Sequence, residues 1–375
     1  MVAGASSGKG GYTAMNLSER FQIDGVVLRE EAYGEGHINA SYRIDLTDGR
    51  SFLLQQINTH VFQRPDWLME NIQRVTEYLR VQIARRGGDP ERETLRVIPT
   101  RSGALYDRDE EGRYWRLYPF ISHTVTYQRF TDPRVFQNAG EAFGRFLADL
   151  SAYPVETLHE VIADFHHTPK RYQALEQAAD RDICHLAVYC EQELIFAQER
   201  NHLYGQIIEA LEAGRLPLRV THNDTKVNNV LMDPEMGRGV CVVDLDTVMP
   251  GSSLYDFGDA IRFGAATRPE DTTDLAHMKL DLALFEAFAR GYMQGAGECL
   301  IDEEIRLLPL GALLMTLECG IRFLADALEN DTYFKIHHPG QNLERCRAQF
   351  ALAADMERKM DEMETIVRRL ATESR

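Results

Sequence analysis

No two cysteines in the chain stand in Cys-x-x-Cys spacing, and the six present, Cys184, Cys190, Cys241, Cys299, Cys319 and Cys346, form no dense framework. Neither a zinc site nor a disulfide scaffold is therefore indicated, and the thiols read as reduced and mostly buried. Positive charge is also short. With 41 Lys and Arg against 58 Asp and Glu, the formal net charge is -17, which works against any broad footprint on nucleic acid or on an anionic membrane. Long apolar runs are missing too. The N-terminal MVAGASSGKGGYTAMN lacks the apolar segment of a secretory signal and reads as a flexible tail over residues 1–16. Leu307 to Leu317 is too short to span a bilayer and is bounded by Arg306 and Glu318, so a buried helix in a cytoplasmic protein is expected. There is no internal repeat. What remains, 375 residues at 44% hydrophobic and 26% charged, is enough for two domains with a sizeable core and a small-molecule partner.

The first third reads as strands. A run from Val26 breaks at YGEGH and resumes from Ala40 to Leu46, and Asp48-Gly49 then turns the chain into Ser51 to Ile57. Helical spacing follows from Pro65 to Arg80, with Leu68, Ile72, Val75 and Leu79 on one face. Two further strands, Ala104 to Asp107 and Arg113 to Ile121, flank a DEEG turn. Beyond that the pattern is mainly helical: Asp132-Pro133 and Thr168-Pro169 are helix starts, and the run from Ala187 to Ala213 predicts one long helix. Strand character returns at Leu218 to Thr221, Val230 to Met232 and Gly239 to Val243, and everything after Ser253 reads as helix. The fold class is α+β and bilobal, with a small sheet lobe over residues 17–117 and a larger helical lobe over 118–375.

The segment that carries chemistry is RVTHNDTKVNNVLMD followed by GVCVVDLDTVMPG. An apolar strand runs into His222-Asn223-Asp224, Asn229 lies five residues after the Asp, and a second apolar strand ends at Asp244. This His-x-Asp-x-x-x-x-Asn plus a strand-end Asp is the spacing of a kinase catalytic loop and its metal-binding aspartate. Asp224 then orients the attacking hydroxyl and accepts its proton, while Asn229 and Asp244 hold Mg²⁺ against the phosphates of ATP. Asp246 is either a second metal ligand or a solvated turn residue. Adjacent histidines at 166–167 and 337–338 point in different directions on a helix and are assigned no metal.

These residues, together with GEGHINASY, QQINTHVF, WLMENI, RLYPFI, VVDLDTVMPGSSLYDFGDAIRFG and IRFLADALENDTYFK, span nearly the whole chain outside the tail. The sequence resembles the aminoglycoside phosphotransferase and choline kinase family, and within it the kinases that phosphorylate N-acetylhexosamines at the anomeric hydroxyl. The resemblance implies a protein-kinase-like fold with ATP between the lobes. It makes Gly34 and Gly36 the turn of the nucleotide-covering loop, and Arg116 to Ile121, with Tyr118 and Phe120, the hinge that bonds adenine. Asp256 in LYDFGD becomes a brace for the catalytic loop. His37, Arg322, Phe263 and Tyr333 become sugar contacts beside Asp224. One departure stands out: Gln55, not Lys, falls where a lysine meets the nucleotide phosphates, with Glu70 in the place of its carboxylate partner. The readings left open are an N-acetylhexosamine 1-kinase, a kinase of a cationic acceptor such as choline or an aminoglycoside, for which Asp326, Glu329 and Asp331 offer carboxylates, and an inert nucleotide-binding module.

Overall fold

A computed structural model describes residues 17–33, 40–129 and 132–373, so the sequence candidates Gly34, Gly36 and His37 lie outside the described residues. The chain forms two compact units, one from the residues up to Glu77 with Leu95–Ser122, the other from Tyr78–Thr94 with His123–Arg375. The first unit holds an antiparallel sheet of five strands, β1 (Val27–Ala32), β2 (Ser41–Leu46), β3 (Ser51–Ile57), β4 (Asp107–Arg108) and β5 (Tyr114–Pro119), in the order β1-β2-β3-β5-β4. Alternation along the strands sorts the side chains onto two faces. Ile44, Leu46, Phe52, Leu54, Trp115 and Leu117 join Leu17 and Phe21 in one apolar core. Their neighbours Ser41, Gln55, Arg116 and Tyr118 therefore belong to the opposite face. Helix α1 (Pro65–Arg85) is a turn longer than its sequence pattern, and Leu68, Ile72, Val75 and Leu79 are all buried.

The second unit is mainly helical. Helix α2 (Pro133–Asp149) starts as expected, with the Asp132 carboxylate accepting from Arg134 N–H and Phe136, Ala139, Phe143 and Phe146 buried. Helix α3 (Thr168–Arg181) is capped by His167 instead of Thr168, because the Thr168 hydroxyl is turned inward to Glu318 Oε2 at 2.6 Å. The single helix expected over Ala187–Ala213 is not formed. It is broken into α4 (Glu191–Glu199), α5 (Asn201–Tyr204) and α6 (Gln206–Glu212). Arg200 sits at the first break, donating to Phe196 O at 2.9 Å and to both oxygens of Glu357 at 2.8 and 2.7 Å. Gly205, a poor helix former, sits at the second.

After α7 (Ser253–Gly264) come α8 (Leu282–Ala296), α9 (Asp302–Leu328), α10 (Gln341–Arg358) and α11 (Met360–Glu373), so the C-terminal run breaks once, at Lys359. Helix α9 contains the Leu307–Leu317 stretch. Among the described residues it is the one helix long and apolar enough to cross a membrane, and most of it is buried within this unit.

Two helices touch at backbone distance. A Cβ on Gly144 of α2 would lie 2.1 Å from Tyr292 O of α8, and one on Gly291 of α8 would lie 1.9 Å from Gln137 O of α2. Any side chain there must push the helices apart. The contact matters for function because α2 also carries Phe143 and Phe146, whose rings lie 5.8 and 6.1 Å from the ring of His222. Gly291→Ala is expected to destabilise the protein by about 1 to 3 kcal/mol, the usual cost of overpacking, read as a lowered midpoint in denaturant unfolding. An unchanged midpoint would mean that the helices part without cost.

Candidate active site

Four short strands of the second unit bring two loops to one place. β6 (Arg219–Thr221) leads into residues 222–229 and then β7 (Val230–Met232); β8 (Gly239–Val242) leads into residues 243–248 and then β9 (Met249–Gly251). β6 pairs with β9, and β7 with β8, both antiparallel. Each pairing fixes one end of both loops, so residues 222–229 and 243–248 must lie side by side. β9 carries Pro250 and was not expected from the sequence, since proline removes a ladder donor. A two-stranded ladder tolerates it because each strand keeps one free edge. The start of β6 is anchored by Arg219, whose Nε and Nη2 donate to Glu304 of α9 at 3.0 and 2.7 Å; Glu304 Oε1 also accepts from Ser253 Oγ at 2.7 Å.

The turn at Asn223 is held on every polar atom. Its φ is +63°, a left-handed conformation that costs a non-glycine residue roughly 1 to 2 kcal/mol. Asp256, buried on α7, accepts from His222 N–H at 2.9 Å and from Asn223 N–H at 2.7 Å. The Asn223 amide donates to Thr247 O at 2.9 Å and its Oδ1 accepts from Thr221 Oγ1 at 2.9 Å. Burial pushes the Asp256 carboxyl up, although His222 and the two N–H groups oppose the shift. The His222 ring ties the two loops together: Nε2 donates to Val243 O at 2.8 Å, which leaves Nδ1 to accept from Asp224 N–H at 3.3 Å.

Asp224, Asn229 and Asp244 meet on this frame. Asn229 Nδ2 donates to Asp224 O at 2.8 Å, and Asn229 O accepts from Val243 N–H at 2.9 Å, the residue before Asp244. Asp244 has φ +61° and is exposed, whereas Asp246 is buried. The exposed Asp244 carboxylate and the Asn229 amide oxygen are hard donors of the kind Mg²⁺ takes in ones and twos, with substrate phosphates completing its shell. Among the described residues no group of three or more His, Cys, Asp or Glu forms a metal cage.

Lys226 went unremarked in the sequence, and its Nζ lies 3.0 Å from Asp224 Oδ1. Burial raises the Asp224 carboxyl, but the Lys226 ammonium, together with His222 and Arg262, opposes it and the net shift is downward. Asp224 is thus ionised, suited to accepting a hydrogen bond from a hydroxyl and orienting it. A loose phosphoryl-transfer transition state asks little more of this residue, because the proton leaves late.

His166 is the second residue the sequence did not single out for the site. Its ring is buried, with Nδ1 2.8 Å from Glu318 Oε1 and Nε2 3.1 Å from Asn223 O. Glu318 is itself buried; burial raises its carboxyl, and His166 first among its neighbours brings it below the ordinary value. A bond from α9 thereby reaches the carbonyl of the peptide that joins Asn223 to Asp224. The signal for it was faint, since nothing in HHTPK announces a partner at Glu318.

The remaining candidates are placed separately. Arg322, one turn beyond Glu318 on α9, lies 5.0 Å from the Phe165 ring and 5.7 Å from that of Tyr333. Phe263, with Met278, Arg345 and Gln349, lines a pocket of about 200 Å³. In the first unit, Glu70 pairs with Arg74 at 3.3 Å. Phe120 N–H is engaged by Ser51 O at 2.9 Å and so does not offer a donor to adenine; Tyr118 is buried within β5.

Residues 30–297 match the model of the phosphotransferase enzyme family. Solved structures similar to this one include a microcompartment-associated aminopropanol kinase, 16% identical, covering 94% of this chain and 98% of that one with a TM-score of 0.63. A choline kinase from Cryptosporidium parvum Iowa II is 12% identical over 93% of this chain and 96% of its own, with a TM-score of 0.62. An aminoglycoside phosphotransferase from Alicyclobacillus acidocaldarius is 18% identical over 98% of both chains, with a TM-score of 0.56. At such identities the likeness concerns the fold, an α+β kinase-like architecture.

Asp224→Asn is expected to lower turnover by about 10² to 10⁴ with nucleotide affinity nearly unchanged; near-normal turnover in the folded variant would remove Asp224 from the reaction. His166→Asn, whose amide reaches the Nδ1 position only, is expected to lower kcat at least tenfold with KM for nucleotide unchanged, because Asn223 O loses its donor. His166→Gln, which reaches the Nε2 position, should retain more of it. Equal kinetics in the two variants would reduce His166 to a packing role.

Proposed function

Because the chain belongs to the phosphotransferase enzyme family, we propose that it transfers the γ-phosphoryl group of ATP to the anomeric hydroxyl of an N-acetylhexosamine, giving the sugar 1-phosphate. Asp224 accepts the hydrogen bond of the attacking hydroxyl and takes its proton as the new O–P bond forms and the bond to the leaving diphosphate breaks. Lys226 keeps that carboxylate ionised. Asn229 and Asp244 would hold Mg²⁺, which when bound neutralises charge on the phosphates.

The observation that carries the sugar reading is the charge of the surface around Arg322. Arg322 and Arg171 both touch Phe165, the first over its ring at 5.0 Å and the second through two bonds to its carbonyl at 3.1 and 3.0 Å. Among the described residues neither has a carboxylate at ion-pair distance. Burial, and then the Arg322 charge, push the Arg171 guanidinium below its ordinary value. The carboxylates that a cationic acceptor would need are committed elsewhere. Asp326 accepts from Tyr333 N–H and Phe334 N–H at 2.8 and 2.9 Å, Glu329 pairs with Arg181, and Asp331 accepts from Asn342 at 2.8 Å. Guanidinium donors flanked by the rings of Phe165, Tyr333 and Phe334 suit a neutral polyol and repel an ammonium group.

The product decides. Phosphorus NMR with N-acetylglucosamine and N-acetylgalactosamine as acceptors is expected to show a phosphate coupled to the anomeric proton. Glucose and galactose, which leave acetamido-binding groups unpaired, should be poorer substrates by roughly 1 to 3 kcal/mol in kcat/KM. A 6-phosphate, or turnover with choline, aminopropanol or an aminoglycoside alone, would overturn the assignment of acceptor.

A further inference from the structure

The pocket beside Phe263 is lined by two residues with buried polar atoms left unsatisfied. Gln349 of α10 is 1% exposed, and among the described residues its Oε1 has no hydrogen-bond partner. The same is true of Nε of Arg345, four residues earlier and so on the same face of that helix. The rest of the Arg345 guanidinium is held, Nη1 donating to Lys335 O at 3.2 Å and to Asn342 Oδ1 at 3.0 Å. An unpaired buried donor and an unpaired buried acceptor are each costly, and together they call for a ligand group that meets both. The pocket, at about 200 Å³, gives far more room than the roughly 10 to 15 Å³ that one bridging water needs.

Other charges around the pocket are already matched. Arg262 in its wall donates from Nε and Nη2 to Asp259 Oδ1 at 3.0 and 2.8 Å and also pairs with Glu270; Arg268 pairs with Asp274 at 3.1 Å. A carboxylate in the pocket would suit Arg345 but set a second acceptor against the Gln349 oxygen, and an ammonium group would do the reverse. An amide presents one N–H and one carbonyl oxygen. Phe263 and Met278 add apolar wall for a methyl group beside it. The pocket also adjoins the reacting groups: Arg262 is one of the charges that act on Asp224, and Glu270 Oε1 lies 3.9 Å from the sulfur of Cys319, three residues before Arg322 on α9. In a 2-acetamido sugar the amide nitrogen is carried by the carbon next to the anomeric one, so its subsite must stand beside the group that takes the anomeric hydroxyl.

We propose that this pocket is the acetamido subsite of the acceptor site: Gln349 Oε1 accepts the acetamido N–H, Arg345 Nε–H donates to its carbonyl oxygen, and the acetyl methyl packs on Phe263 and Met278. The last torsion of a glutamine is soft, so the Gln349 amide turns to meet its partner. The inference rests on the N-acetylhexosamine reading and gives that reading its selectivity against plain hexoses, which leave both atoms unpaired.

The test is the steady-state kinetics of the full chain with N-acetylglucosamine and with glucose. Wild type is expected to prefer the first; no turnover of any N-acetylhexosamine would sink the proposed function, and this subsite with it. Gln349→Met, similar in length but without the acceptor, should lose at least tenfold more kcat/KM with N-acetylglucosamine than with glucose. Equal losses with the two sugars, as a merely structural role would give, or no loss with either, would overturn the subsite and leave the kinase reading standing. If Gln349→Met does not fold, wild type labelled at its methionine methyls decides. N-acetylglucosamine should then show a nuclear Overhauser contact from its acetyl methyl to the Met278 methyl, assigned with Met278→Leu; bound sugar without that contact would refute the proposal.

Discussion

The arrangement depends on one carboxylate accepting two successive backbone amides. Asp256 on α7 takes the N–H groups of His222 and Asn223, and through them determines where the chain turns as it leaves β6. With those donors buried, no solvent would replace the lost acceptor, and each would carry a desolvation penalty of about 1 to 3 kcal/mol. The left-handed turn at Asn223 follows from this clamp. So does the position of the next residue, Asp224, whose N–H completes the His222 ring contacts. The clamp itself stands on rigid ground: α7 packs a glycine against α9, where a Cβ on Gly258 would lie 2.3 Å from Gly311 O.

Charge is distributed in this chain against its overall sign. With a net charge of -17, it nonetheless places Lys226 on the Asp224 carboxylate, Arg322 and Arg171 around Phe165, and Arg116 opposite Gln55. Fields near a site are set by groups within a few ångströms, because more distant charges are screened. Many carboxylates sit in exposed pairs, such as Asp66 with Arg64 and Asp132 with Arg134, each contributing little to stability. Lys226, with Nζ 3.0 Å from Asp224 Oδ1, instead helps to hold a buried carboxyl below its ordinary value.

Much of this was legible before any coordinates, and the reasons differ by element. The sheet and α1 were readable because alternation and helical spacing both have one buried face, and Asp132 announced α2 by its capping chemistry. The spacing from Asp224 to Asn229 and Asp244 was readable because phosphoryl transfer constrains those residues in sequence. The break at Arg200 was not, since its cause is Glu357, far along the chain, and tertiary pairing overrides local propensity. The same holds for His166, whose meaning lies in Glu318 and Asn223. Lys226 is different. The chain has six lysines among its 41 basic residues, so one falling two residues after Asp224 is a signal in the sequence itself.

Two residues with left-handed backbone show how the site and the fold share their constraints. Asn223, with φ of +63°, immediately precedes Asp224, and Asp244, with φ of +61°, lies on the neighbouring loop. Left alone, each would relax toward an ordinary conformation and carry the Asp224 or the Asp244 carboxylate with it. Neither is free to do so. Asn223 is held from α7 by Asp256 and from the α9 side by His166, while the peptide before Asp244 is held at both ends, its Val243 O by His222 and its Val243 N–H by Asn229. His222 therefore links both strained turns through one ring, resting on Phe143 and Phe146 of the helix that α8 locks in place through glycine contacts. The glycines buried far from the chemistry and the polar residues at its centre thus serve one requirement: two aspartates must be held apart from their relaxed geometry, at a fixed spacing, before any substrate arrives.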